Sequence, residues 1–158
     1  MKKLERHLLY LVLGEFSALC TFGFLYRSLR LGAASLAGFS YLMFVLFQGS
    51  TYWGYRYVLI LKRKSPSRKA AELWRVSRYL STGLMGLTGV VIPIVHAGSW
   101  DLFWGIAAFL FAIIEYINYF WYRLSYGKSG FNLRVLVNTR LQKSSISKLI
   151  GRKVADQK

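Results

Sequence analysis

The chain has 158 residues, 22 of them Lys or Arg and 6 Asp or Glu, for a formal net charge of +16. Yet 54% of the residues are hydrophobic and mean hydropathy is +0.33. That apolar content, with 11 Phe, 11 Tyr and 5 Trp, excludes a disordered basic chain, a collagen-like chain and a disulfide scaffold, and points to a polytopic membrane protein with basic ends.

Lys2, Lys3 and Arg6 precede a first apolar stretch at residues 8–26. A signal peptide starts the same way. However, the run Ser17-Ala18-Leu19-Cys20 has Leu where a lipoprotein cleavage box needs a small residue, so the segment is expected to be retained as a spanning helix. Further apolar stretches occupy residues 33–61, 79–97 and 100–124; Gln48 and Arg56 interrupt the second. Each supplies roughly the 20 residues that cross about 30 Å of hydrocarbon. Helices satisfy their backbone groups within the segment, as lipid demands, and the short alternating strands of a membrane barrel are absent. The expected fold is all-α: a bundle of four transmembrane helices over residues 1–126, then a basic cytosolic tail over 127–158 that includes an amphipathic helix.

The charges orient this bundle. Nineteen of the 22 Lys and Arg fall on the N-terminus, the 62–78 connection and the tail. Arg27 and Arg30 fall on the opposite side, and Arg56 lies within a span. The positive-inside rule then places both termini in the cytosol of a multi-pass cell-membrane protein. The same basic face attracts anionic lipids. A nucleic-acid partner is not expected, because the aromatics lie inside the spans and at their ends instead of interleaving with the basic patches.

Ionisable residues inside spans are costly and mark candidate sites. Glu15, Arg56 and Glu115 qualify, and at about 1.5 Å per residue all three lie within about 7 to 14 Å of the inner boundary. Arg56 is expected to pair with Glu15 or Glu115. Glu115, Asn118 and Tyr122 follow helical spacing, and Gln48 adds polarity to the second span, so a ligand or ion cluster of Glu15, Gln48, Arg56, Glu115, Asn118 and Tyr122 is expected. The competing reading is structural: a buried pair fixing helix register, or Arg56 reaching the head groups.

Gly83, Gly86 and Gly89 form a small-residue stripe expected to pack against a neighbouring helix, and Pro93 is expected to kink the third span. Aromatics close the second and fourth spans as interfacial belts. Residues 131–153 alternate apolar and basic positions, with Arg134, Arg140, Lys143, Lys148, Arg152 and Lys153 on the membrane-surface side and the run Ser144-Ser145-Ile146-Ser147 as an interruption. Cys20 is the only cysteine, and no metal-ligand spacing or nucleophile–base pair is present. No cofactor, no metal and no enzymatic activity are expected.

Phe47-Gln48-Gly49-Ser50-Thr51-Tyr52-Trp53, Glu115-Tyr116-Ile117-Asn118-Tyr119-Phe120 with Arg123-Leu124-Ser125-Tyr126, and Lys143-Ser144-Ser145 resemble a group of small uncharacterised bacterial four-helix integral membrane proteins. The resemblance implies the architecture and no activity. The expected function is a non-enzymatic accessory or interaction subunit, or a homo-oligomer, with a membrane protein as partner. The alternative is a small carrier or flippase for an anionic lipid or ion that uses Glu15, Arg56 and Glu115.

Overall fold

The structure, a computed structural model, describes residues 2–29, 32–122 and 142–155. The described residues form helices α1 (Lys2–Leu29), α2 (Ala33–Leu61), α3 (Arg68–Val95), α4 (Ser99–Phe120) and α5 (Ser145–Ala155). No strand forms among them; one isolated antiparallel bridge joins Tyr122 to Lys143. Helices α1 to α4 are long and apolar enough to cross a membrane.

The bounds of α2 coincide with the apolar stretch, but α1 and α3 run beyond theirs. Charges end an apolar run without ending a helix. α3 therefore starts at Arg68 and not near residue 79, because Ser67 caps it: the Ala70 N–H donates to Ser67 Oγ at 3.2 Å. In its first turns Ala71 and Trp74 turn inward, while Arg68 and Glu72 pair on the exposed face at 3.4 Å. Arg78 lies over the rings of Tyr79 and Trp121, at 5.4 and 5.2 Å. Pro93 falls in the last turn of α3, which continues only to Val95. α4 stops at Phe120, short of residue 124, where Trp121 N–H and Tyr122 N–H both donate to the Ile117 carbonyl.

α2 is the central helix and contacts α1, α3 and α4. Its approach to α4 is set by glycine. A methyl group on Gly38 would run into the Gly105 carbonyl, and one on Gly105 would lie 2.7 Å from the Ala34 carbonyl oxygen. In lipid, helices associate through such close backbone contact, since apolar side chains gain little by leaving an apolar solvent. Above this crossing, the first turn of α4 caps the first turn of α2. The Asp101 carboxylate accepts the Ala34 N–H at 3.1 Å, the Ser35 N–H at 2.9 Å, the Ser35 hydroxyl and the Ala97 N–H at 3.1 Å.

The glycine stripe of α3 does not pack as expected. Gly83 and Gly86 have open space where a Cβ would stand; Gly89 alone meets a neighbour, the Phe109 ring at 3.4 Å. The spacing was suited to close approach, but α3 turns that face away from α2 and α4.

The tail also departs from expectation. The Ser-Ser-Ile-Ser run does not interrupt a helix; it starts one, with the Ser147 N–H donating to Ser144 Oγ at 3.0 Å. Ile146, Leu149 and Ile150 of α5 are buried in the core, against α3 and α4, and not spread on a lipid surface. Lys143 and Lys148 remain exposed. Arg134 and Arg140 lie outside the described residues. Arg152 and Lys153 belong to α5 by backbone, with their side chains outside the description.

Candidate functional site

A cavity of about 420 Å³ opens between α1, α2, α4 and the start of α5. α1 contributes His7, Leu8, Leu11 and Glu15; α2 contributes Tyr52, Trp53, Arg56 and Ile60; α4 contributes Glu115, Asn118 and Tyr119. Ser144, Ser145 and Ile146 close it from the tail. The volume falls within the range of about 300 to 1,000 Å³ typical of small-ligand sites, and would hold on the order of a dozen waters.

Each polar wall has a local cause. Tyr119 packs its ring on Gly49, where a methyl would lie 2.5 Å from the ring carbon bearing the hydroxyl. That close seat carries the Tyr119 hydroxyl to Glu15, to which it donates a hydrogen bond. Glu115 stands one helical turn before Tyr119 and accepts from Asn118 Nδ2 at 3.3 Å. Two carboxylates, one from α1 and one from α4, thus share a wall with a phenol.

The opposite wall is α2. Tyr52 and Arg56 are four residues apart and so present to one face. Tyr52 is held edge-on against Trp74, ring centroids 5.2 Å apart at 87°, and is only 1% exposed. Its hydroxyl is buried and has no hydrogen-bond partner among the described residues. Such a group normally finds one, since leaving it unmade costs about 1 to 3 kcal/mol. The expected ion pair is not formed. Among the described residues no carboxylate oxygen comes within 4.0 Å of the Arg56 guanidinium; the pair within that distance is Arg68–Glu72 on the surface. Arg56 and the two carboxylates line one space without an ion pair between them.

Glu15, Arg56, Glu115 and Asn118 therefore meet, while Gln48 and Tyr122 lie elsewhere. Gln48 is used between α2 and α3: its Nε2 donates to Ser77 Oγ at 2.8 Å and its Oε1 accepts from Ser81 Oγ at 2.9 Å. Tyr122 follows the end of α4, so it no longer extends the stripe of Glu115 and Asn118; it is 39% exposed and bridges to Lys143. Tyr119, Tyr52 and His7 were missed. The i, i+4 spacings Glu115–Tyr119 and Tyr52–Arg56 were the available signal for the first two.

No known family, curated protein or solved structure matches the chain. The chemistry must be read from the cavity itself. Among the described residues no three of His, Cys, Asp and Glu gather closely enough to hold a metal ion. What the walls provide is ionisable groups of both kinds, hydrogen-bond donors and acceptors, and aromatic faces around an open volume. That combination suits reversible binding.

Proposed function

We propose that the chain is a multi-pass membrane protein with both termini in the cytosol, and that its bundle holds an ion or a lipid head group near the inner boundary and carries it without chemical change. The observation that supports this is that Arg56, Glu15 and Glu115 line one cavity of about 420 Å³ with no ion pair between them. Burying three charges is expensive, and a purely structural role favours closing them into a pair. Held apart, they suit a guest. The orientation rests on the charge asymmetry, and the exposed Lys143 and Lys148 belong to the same basic side, where anionic lipids of the inner leaflet gather.

A second reading, an interaction subunit or homo-oligomer, is favoured by the open faces of Gly83 and Gly86 beside exposed Leu87, Val90 and Ile94 on α3. Native mass spectrometry of the gently purified full chain distinguishes the two. The carrier reading expects a monomer with a retained non-protein mass, whose occupancy drops at least fivefold in the Glu15→Gln, Glu115→Gln double variant. A ligand-free oligomer, unchanged by those substitutions, would give the second reading the better claim.

A further inference from the structure

We infer that the cavity is built for a zwitterion, a primary ammonium joined to a phosphate, as in the head group of phosphatidylethanolamine. This rests on the carrier reading above and names its cargo.

Two carboxylates, from α1 and α4, and one guanidinium, from α2, line the cavity. An anion beside Arg56 would also face Glu15 and Glu115. A simple cation between the carboxylates would leave Arg56 without a counterion among the described residues. A guest with both signs answers both walls. Its ammonium has three N–H donors and needs acceptors around it; Glu15 and Glu115 supply carboxylate oxygens from two different helices. Its phosphate needs a fork of donors, which a guanidinium provides in bidentate form.

The independent observation is Tyr52. Tyr52 lines the cavity, and its hydroxyl is buried just behind that wall beside Ser145, with no hydrogen bond within 3.5 Å among the described residues. It lies one helical turn before Arg56, on the same face. A phosphate oxygen held by Arg56 would supply the missing acceptor once a small shift of the wall opens this hydroxyl to the cavity. Trp53 adds an aromatic face to the same wall. A quaternary ammonium has no N–H to donate and keeps only charge attraction and the aromatic face, so the hydrogen-bond acceptors favour the primary amine.

The test uses the full chain in a mild detergent and reads the thermal midpoint as ligand is added, since a ligand that binds the folded state raises it. The probes are dioleoyl phosphatidylethanolamine, the corresponding phosphatidylcholine and phosphatidylglycerol, and soluble O-phosphoethanolamine. Phosphatidylethanolamine is expected to act at a concentration at least tenfold below the other two lipids. A shift with O-phosphoethanolamine alone would support the same recognition with a soluble source in place of the lipid. Arg56→Gln should abolish the shift and Arg56→Lys should keep part of it. Tyr52→Phe removes only the unpartnered hydroxyl, so it should hold or raise the ligand-free midpoint and weaken the response severalfold. A preference for phosphatidylglycerol would overturn the zwitterion and leave the carrier reading standing. So would a phosphatidylethanolamine response that neither Arg56→Gln nor Tyr52→Phe reduces, because the head group would then sit elsewhere. No response to any probe, together with no retained mass in the native spectrum, would remove the carrier reading as well.

Discussion

Alanine at Gly105 is expected to destabilise the bundle by about 2 to 3 kcal/mol, the cost of overpacking a tight contact. The added methyl would stand 2.7 Å from the Ala34 carbonyl oxygen and 3.1 Å from the Ser35 nitrogen. Both are backbone atoms of α2, so no side chain can swing aside and the helices must part. Gly38→Ala meets the Gly105 backbone in the same way and should cost a similar amount. Leucine at either site should prevent assembly. Gly83→Ala and Gly86→Ala are the matched comparison: nothing lies within 4 Å of either added methyl, and alanine is the better helix former by about 1 kcal/mol in water. Thermal unfolding in detergent, followed by circular dichroism, checks the order. Equal midpoints for Gly105→Ala and Gly83→Ala would mean that α2 and α4 do not cross there.

The second large effect is expected at Asp101. Its carboxylate answers three backbone N–H groups and one hydroxyl, and two of the N–H groups, from Ala34 and Ser35, belong to the first turn of α2. Those donors have no partner within their own helix, and the negative charge also complements the N-terminal end of the helix dipole. Hydrogen bonds to a charged group contribute about 1.5 to 3 kcal/mol each in isolation. Their sum overstates the cost here. The carboxylate is covered by its own donors but sits at the rim of the bundle with few other atoms around it, so interfacial water can replace part of what is lost. Asp101→Ala should therefore cost about 2 kcal/mol, and Asp101→Asn less, because the amide keeps one acceptor oxygen. Ser35→Ala should cost least of the three. An Asp101→Ala midpoint within 1 °C of the parent chain would show that water caps α2 as well as the carboxylate does.

Four helices long and apolar enough to cross a membrane were legible in the sequence because long apolar runs have few alternatives in a chain of this composition. The ends were less legible. Arg68, Lys69 and Arg75 ended the third apolar run, yet the helix continued through them because its other face, with Ala71 and Trp74, found the core. Depth was readable, since helical rise converts residue number into height, and it brought Glu15, Arg56 and Glu115 to one level. Azimuth was not. Height alone could not tell that Gln48 faces Ser77 and Ser81 on α3, or that Tyr119, and not Tyr122, turns toward Glu15. Nor could it show that Asp101 reaches α2, at a sequence separation of 66 from Ser35; that contact depends on how α2 and α4 cross, which Gly38 and Gly105 decide.

In the proposed carrier the cavity holds water and opens to the cytosol. The most direct measurement places single cysteines at Leu11 and Leu13 in a chain with Cys20 replaced by serine. Leu11 lines the cavity, whereas Leu13, two residues on, is 53% exposed on the outer face of α1. A membrane-impermeant thiol reagent should label Leu11→Cys in inside-out vesicles and not in right-side-out ones, and should leave Leu13→Cys unlabelled in both. Protection of position 11 in both kinds of vesicle, or labelling only from the outside, would contradict the account.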